Sequence, residues 1–343
     1  MNRRFARFGL GLLAAPLIAA AGPEDFEGEW LLALERAATI DFGTLEFEPS
    51  PEGLRAYIDG GPVDLRFGED DSVTVTLDWS DSGDRLHESL LEGRLSDGMI
   101  TGRILEAGDQ VGTWRAVPEK DRARILKESA LPPGLIDLSG TWSVGSRGTH
   151  KDSFDLTEAG RAADDAYDPT LDDPHLRCVS GGLIRMLDGP FPIEIIPRKD
   201  HLLVLFQYFE EQQRIYMDGR SFPEDVDSLQ SAMGYSIGRW EGPTLVVETR
   251  GLSEALWDSR GMPTSADARV TQRLYLDESG NLHNEITLVD PQNYKRPVLR
   301  HAYWTYDPDA EQQEYDCDPH SFYRSLDIEG RLEEYWGRSR TRR

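Results

Sequence analysis

Val73, Val75, Leu77 and Trp79 alternate with Thr74, Thr76 and Asp78. A repeat of two turns one face of a strand inward and leaves the other to solvent. Strand-length segments of this kind run from 43 to 117. They are broken at Asp59-Gly60-Gly61, Glu69-Asp70-Asp71, Ser82-Gly83-Asp84 and Ser96-Asp97-Gly98, where short polar residues and glycine favour turns. Met99–Leu105 and Val111–Val117 read as a closing hairpin around Ala107-Gly108-Asp109. Strands about ten residues apart predict an up-and-down barrel or a sandwich. Residues 119–130 are rich in charge and in helix formers, and Pro132-Pro133-Gly134 stops any helix. A short connecting helix is expected there, with a flexible linker as the alternative. A second helix is expected over 156–166. Strands then follow at 193–196, 202–208, 214–217, 235–240, 244–249, 269–276, 282–289 and 298–306. Most connections are too short for crossover helices, so the pattern predicts antiparallel pairing.

The fold expectation is therefore mainly β: two antiparallel β-barrel or β-sandwich units joined by a short helix. The small unit covers 22–118, a helical linker 119–135, a larger unit with long loops 136–323, and a charged tail 324–343. The long loops at 170–190 and 252–267 are the expected walls of a site, because loops on a rigid sheet carry function.

Residues 1–21 read as a signal peptide. Arg3, Arg4 and Arg7 precede an apolar run from Phe8 to Ile18, and Ala19 and Ala21 fit a small-x-small cleavage site. Arg3-Arg4-Phe5 leaves a twin-arginine route open beside the general one. The run is shorter than the ~20 residues a membrane span needs, and no later segment is apolar enough to be one. A periplasmic or secreted protein is expected. Composition adds a strong field. With 37 Lys+Arg against 62 Asp+Glu the formal charge is −25, which repels nucleic acid and anionic membranes. The 8 Trp, 12 Tyr and 12 Phe are what packed cores require and acidic disordered chains lack.

Two cysteines, Cys178 and Cys317, are plausible partners in an oxidising compartment. A loop that long would be worth roughly 5 kcal/mol in the chain-entropy account. Two unconnected thiols are the alternative. No Cys-x-x-Cys, His-x-His, calcium loop or nucleotide loop is present, so neither metal nor cofactor is expected. Gly234-Tyr235-Ser236-Ile237-Gly238 has the Gly-x-Ser-x-Gly spacing of a nucleophile elbow, and Asp290 and His301 could be written beside it. The following Arg239-Trp240-Glu241-Gly242 leads into a strand rather than the helix an elbow requires. Histidines 87, 150, 175, 201, 283, 301 and 320 read as surface or hydrogen-bonded structural groups.

Gly28-Glu29-Trp30 and Gly140-Thr141-Trp142 open the two units alike, and Gly-x-Trp at a first strand resembles the calycin (lipocalin-like) barrel opening. The second unit, over about 136–320, also resembles a family of exported bacterial proteins of unknown function. The resemblance rests on Asp173-Pro174 ahead of Arg177-Cys178, on Ile215-Tyr216-Met217-Asp218-Gly219-Arg220, on the run Ser236 to Thr249, and on Asp290-Pro291 with Tyr294. Relatives often carry His where this chain has Tyr235, and another near Thr264, so the resemblance implies no histidine chemistry at those positions.

Glu248 on its strand needs a partner if buried, and Arg239 or Arg220 could supply one. With aromatics nearby, Tyr216, Asp218, Arg220, Arg239, Trp240, Glu248 and Trp257 form the expected ligand-binding set. The expected function is an envelope protein holding a small amphipathic or saccharide-like molecule. The alternative is a cofactor-independent hydrolase or isomerase/lyase using carboxylate, Tyr and Arg.

Overall fold

The computed structural model describes residues 23–37, 39–68, 72–80, 86–146, 154–187, 189–257 and 259–341. The signal-peptide reading, the turns at 69–71 and 82–84, and His150 lie outside them.

The first eight strands form one closed barrel: β1 (Gly28–Arg36), β2 (Thr39–Ser50), β3 (Gly53–Ile58), β4 (Gly61–Phe67), β5 (Ser72–Ser80), β6 (Leu86–Ser96), β7 (Met99–Glu106) and β8 (Asp109–Pro118). Every neighbouring pair is antiparallel, and β1 closes on β8 with Leu32 opposite Ala116. The alternating apolar residues point inward and fill the barrel: Leu32, Leu34, Leu45, Val75, Leu77 and Ile104 are among its buried core. Trp114 fits because two neighbours lack side chains. A Cβ on Gly93 would stand 2.5 Å from its ring, and one on Gly102 would stand 2.0 Å from the Glu92 carbonyl oxygen.

The second barrel has nine strands. In chain order the remaining strands are β9 (Gly140–Ser146), β10 (Ile193–Pro197), β11 (His201–Phe206), β12 (Gln212–Tyr216), β13 (Tyr235–Glu241), β14 (Thr244–Arg250), β15 (Ala255–Leu256), β16 (Pro263–Thr264), β17 (Arg269–Leu276), β18 (Leu282–Val289) and β19 (Val298–Tyr306). β15 and β16 form a separate two-stranded sheet, and β9 closes the barrel by pairing with both β10 and β19. One pair departs from the expected antiparallel pattern: β12 and β13 run parallel, with Ile215 opposite Ser236. A parallel pair needs a crossover, and residues 217–234 supply it without a regular helix. This crossing sets the parity of the strands that follow. Connections 147–192, 251–268 and 290–297 all fall at one end, whereas the other end has tight turns such as Glu241–Thr244.

Both barrels start with the same device. Gly28 and Gly140 take φ of +116° and +107°, a region costly for other residues. Trp30 and Trp142 are buried, and each indole N–H donates to the carbonyl four residues earlier, Phe26 at 2.7 Å and Leu138 at 3.1 Å.

The linker is helical only over Glu119–Arg124, as a 3-10 turn. Its continuation is drawn onto the second barrel instead. Ser129 N–H donates to the Leu276 carbonyl and Glu278 N–H to that of Lys127, so these backbone groups are spent on a strand edge rather than a helix. β1 is buried on both faces over Trp30–Leu34. Its inner residues serve its own barrel, while Leu31 and Ala33 join Phe42, Val117, Leu126 and Tyr275 in a core between the barrels. The charged stretch from 324, expected as a tail, is also ordered into helix. Two further helices, α1 (Glu158–Asp165) and α2 (Leu183–Leu187), sit in the long β9–β10 connection, and α3 (Pro319–Glu329) and α4 (Leu332–Thr341) end the chain. Phe322, Leu326 and Tyr335 of the last two pack on Leu171, which is what orders a stretch so rich in charge. No helix among the described residues is long and apolar enough to cross a membrane.

Cys178 and Cys317 are joined by a disulfide with Cα atoms 5.8 Å apart, tying the long β9–β10 connection to the segment before α3. Replacing both cysteines by serine is expected to lower the unfolding free energy by roughly 2–5 kcal/mol. Denaturant titration of the variant against the oxidised protein checks it, and an unchanged midpoint would refute it.

Candidate functional site

At the end of the second barrel where the long loops gather lies a cavity of about 570 Å³. Its walls come from α1, from residues 172–182 and from residues 253–265, with Gln292 and Asn293 closing one side. Each wall is anchored from behind. Asp173 caps the turn at Pro174–Arg177 and takes a bidentate pair from buried Arg185, at 2.9 and 3.0 Å. The Gly181 N–H donates to His175 Nε2 at 3.1 Å, which leaves the proton on Nδ1 to donate to the Tyr208 hydroxyl. Burial, with the Arg185 charge beside it, lowers His175 to about 4, so its ring is neutral at physiological pH. Burial likewise pushes the Tyr208 phenol up to about 12. On the opposite wall, buried Asp290 accepts from the Ser265 N–H at 2.8 Å, the Ser265 hydroxyl at 2.7 Å and the Asn293 amide at 2.8 Å. Tyr294 donates to the Pro263 carbonyl at 2.8 Å. Gly261 is obligatory, since a Cβ there would stand 2.2 Å from the Tyr167 ring that forms the rim.

The cavity surface mixes small apolar groups, Ala163, Val179 and Ala255, with uncharged polar ones, Ser180, Thr264 and Gln292. Thr264 is 3% exposed, and its hydroxyl has no hydrogen-bond partner among the described residues. A buried hydroxyl without a partner costs about 1–3 kcal/mol.

The seven residues expected to form one site occupy four places. Tyr216, Asp218 and Arg220 cluster at the surface where β12 runs into the crossover. The Arg220 guanidinium lies 3.8 Å from the Tyr216 ring centroid and grips Asp218, whose carboxyl its hydrogen bonds bring down to about 2. Arg239 does pair with Glu248, at 2.5 Å, on the exposed outer face of β13–β14, and it also reaches Glu241. Trp240 points inward and packs on the core. Trp257 is fully buried in the loop that roofs the barrel, with Arg300 5.1 Å from its ring. None of the seven lines the cavity. Many of its residues carry small side chains, Ala, Gly, Ser and Thr, with no spacing to mark them. The signal present in the sequence was loop length: 170–190 and 252–267 contribute both main walls. The motif residues Asp173, Pro174, Arg177, Cys178, Asp290 and Tyr294 also gather around this cavity, as anchors and lining.

Ser236 lies in a strand, as the residues that follow it predict, and not at a nucleophile elbow. Ser236 sits inside the barrel on β13, bonded to Gln213 at 3.1 Å and Thr249 at 2.7 Å, while Asp290 serves Ser265 and His301 lies on the outer wall.

A second concavity, of about 830 Å³, lies between the barrels. Arg122 of the linker is its hub. It contacts Glu119 at 2.5 Å and Glu128 at 2.7 Å, donates to the Tyr275 hydroxyl at 2.8 Å, and pairs with Glu285. Burial opposes the charge on Glu285, but electrostatic interaction with His301 and Arg122, and the hydrogen bonds from Arg122 and Tyr275, hold the carboxyl below its ordinary range. On the adjoining face, His283 stacks on Tyr275 and bridges Asp277 to His301, with Phe42 of the first barrel against both imidazoles. The sequence did hold a signal for this face. Trp30–Leu34 is an unbroken apolar run, as a strand covered on both sides requires.

No protein-family model matches the chain, and no curated protein matches it. Among solved structures it is similar to the fluorescent protein UnaG. The wild type matches at 15% identity and two point mutants at 16% and 15%, each with a TM-score of 0.24 over 50% of this chain and 96–97% of that one.

His175 and His301 are held at about 4 and about 3, both below the ordinary 6.5 and mainly through burial. The unfolded chain therefore binds more protons than the folded one below pH 6.5. Stability is full above that value and falls as pH drops toward 4, then 3. Denaturant titrations at pH 7, 6, 5 and 4 are expected to show this fall, with His175→Gln giving a shallower slope. A flat profile would refute it.

Proposed function

We propose that the protein is an exported cell-envelope binding protein, and that the cavity at the loop end of its second barrel holds a small amphipathic or saccharide-like molecule. The observation that carries this reading is the Thr264 hydroxyl, buried and unpartnered at the cavity wall. Binding a polar guest there removes the penalty of an unmade hydrogen bond. The size suits one small molecule, within the ~300–1,000 Å³ usual for such sites. The lining supports an amphipathic partner: methyl groups for apolar faces, and amides and hydroxyls for oriented hydrogen bonds. Asp172 and Arg177 line the rim, but Asp172 is already paired with Arg338, and Arg177 donates to the Leu171 carbonyl at 3.1 Å. Glu254 also belongs to the lining and is exposed to solvent, and the rest of the lining suits an uncharged guest. The disulfide supports an oxidising compartment, and the N-terminal Arg-rich and apolar stretch supports export. The filled first barrel leaves that unit a supporting role.

Native mass spectrometry of the protein purified from its own envelope is expected to show a retained small molecule. Ala255→Trp, which fills the cavity, is expected to abolish retention. Thr264→Val is expected to weaken binding about tenfold, the worth of one hydrogen bond. Arg220→Met and Glu248→Gln, outside the cavity, are expected to bind normally. Loss confined to Arg220→Met would move the site to the surface cluster of Tyr216, Asp218 and Arg220, and overturn the proposal.

A further inference from the structure

We propose that the disulfide between Cys178 and Cys317 is a redox latch on the loop-end cavity. Oxidised, it holds the C-terminal arm against one wall and keeps the cavity in its binding shape. Reduced, it lets arm and wall loosen together. The effect on binding rests on the function proposed for the cavity; the effect on the wall does not.

The arm is residues 307–341. It leaves β19 at the end of the barrel with tight turns and returns along the outside to the loop end. On the way the Gln312 amide donates to the Leu205 carbonyl at 3.1 Å, and the Tyr315 ring centroid lies 4.6 Å from that of Phe209. α3 and α4 then cover the strip 166–178. The cavity lining includes Ala166, Asp172 and Arg177 of that strip, and the arm grips all three. Arg338 donates to the Ala166 carbonyl at 2.7 Å and pairs with Asp172, and the Arg177 guanidinium lies 5.8 Å from the Tyr335 ring centroid. Between these points Arg331 donates to the Thr170 hydroxyl at 3.1 Å and reaches Asp168 at 3.3 Å.

Apart from the covalent link, this grip is light. The buried apolar cluster under the two helices is Leu171, Phe322, Leu326 and Tyr335, and of these only Leu171 comes from outside the arm. The ion pairs are partly exposed, where water screens them and each adds little. Segments with few buried apolar contacts are the ones that open locally. The disulfide is thus the strongest tie between arm and wall, and cutting it shifts the arm toward opening. The inner support of the wall, Asp173 with Arg185, and the barrel strands do not involve the arm. Reduction therefore loosens the strip and leaves the barrel closed.

The bond is also within reach of a reductant. Both cysteines are half-exposed, with exposed Leu176 and Val179 beside one and exposed Asp316 and Asp318 beside the other. Exposed disulfides are the labile ones, because a thiolate can approach a sulfur. Exchange with a dithiol carries two electrons and two protons to Cys178 and Cys317, breaks their S–S bond and leaves the reductant as a disulfide. A disulfide oxidant runs the same exchange in reverse. A chain in a reducing compartment is then unlatched, and tight binding begins only where disulfides form.

The test compares the full chain oxidised, after dithiothreitol, and after reoxidation with glutathione disulfide. The probe is octyl glucoside below its micelle concentration. On reduction, amide hydrogen exchange is expected to speed up about tenfold over 166–178 and 307–341 and to stay unchanged in β14, β17 and β18. Titration calorimetry is expected to show octyl glucoside bound about tenfold more weakly, as for a wall in its binding shape about one tenth of the time, with recovery on reoxidation. Cys317→Ser is expected to match the reduced protein and to ignore dithiothreitol. Should that variant fail to fold, reduction of the folded protein carries the comparison. Unchanged exchange over 166–178 overturns the proposal. So does faster exchange throughout the barrel, which makes the disulfide a general staple, and so does equal binding in both states. If the oxidised protein does not bind the probe, the reading of the cavity fails for that class of guest, and exchange over 166–178 still decides the latch.

Discussion

Closure is the constraint from which the rest of the architecture follows. A β-sheet edge exposes unpaired N–H and C=O groups, and a barrel removes both edges at once. Here closure happens twice, β1 on β8 and β9 on β19, and each closure decides what its barrel can do. The first barrel is joined by short connections, and its described interior is packed with its own side chains. The second inserts a crossover between β12 and β13. That insertion gathers the long connections at one end and gives the barrel a roof with space beneath it.

The two barrels are then fixed to each other by contacts of opposite character. Leu31, Ala33 and Phe42 meet Tyr275 in an apolar seam that excludes water. Beside it Arg122 serves three carboxylates and a phenol. Taking charges out of water is costly, and such networks seldom add net stability over apolar packing. What the Arg122 hub supplies is direction. Its partners sit at defined positions on the linker and on β17 and β18, so the chain leaving the first barrel is tied to one place on the second. The apolar seam supplies the strength, and the polar hub selects the register.

Much of the β architecture was legible because a period of two leaves a strong trace. Val73–Trp79 alternates in the sequence, and Val73, Val75 and Leu77 are buried while Thr74 and Thr76 are half-exposed. The Gly-x-Trp pair was legible too, since both glycines take positive φ and both indoles make the same backbone bond. The short helix joining the barrels was legible as well, but it stops at Arg124 because the backbone groups that follow pair with the end of β17 instead. The site was legible only as loop length. Conspicuous residues such as Arg220 and Trp257 drew attention for their chemistry, yet one satisfies itself locally with Asp218 and the other roofs the core. Much of the cavity is lined instead by Ala, Ser and Thr, which no pattern singles out, and of the motif residues only Pro174 and Arg177 are among its lining. The His283–His301 pair lies on adjacent strands 18 residues apart, a contact visible only once register is known.

The position of β9 has a consequence for the order in which the chain becomes a protein. The first barrel has all its strands once residue 118 has emerged from the ribosome. The second begins with β9 at 140, yet β9 lacks one neighbour until β19 arrives at 298–306. For some 150 residues of emergence, β9 presents an open edge, and non-local closure of this kind is slow. During that interval the finished first barrel stands directly upstream with Leu31, Ala33 and Phe42 uncovered. The surface that later becomes the seam is thus the first folded apolar face the emerging strands meet, and it can act as the template on which β17, β18 and β19 assemble.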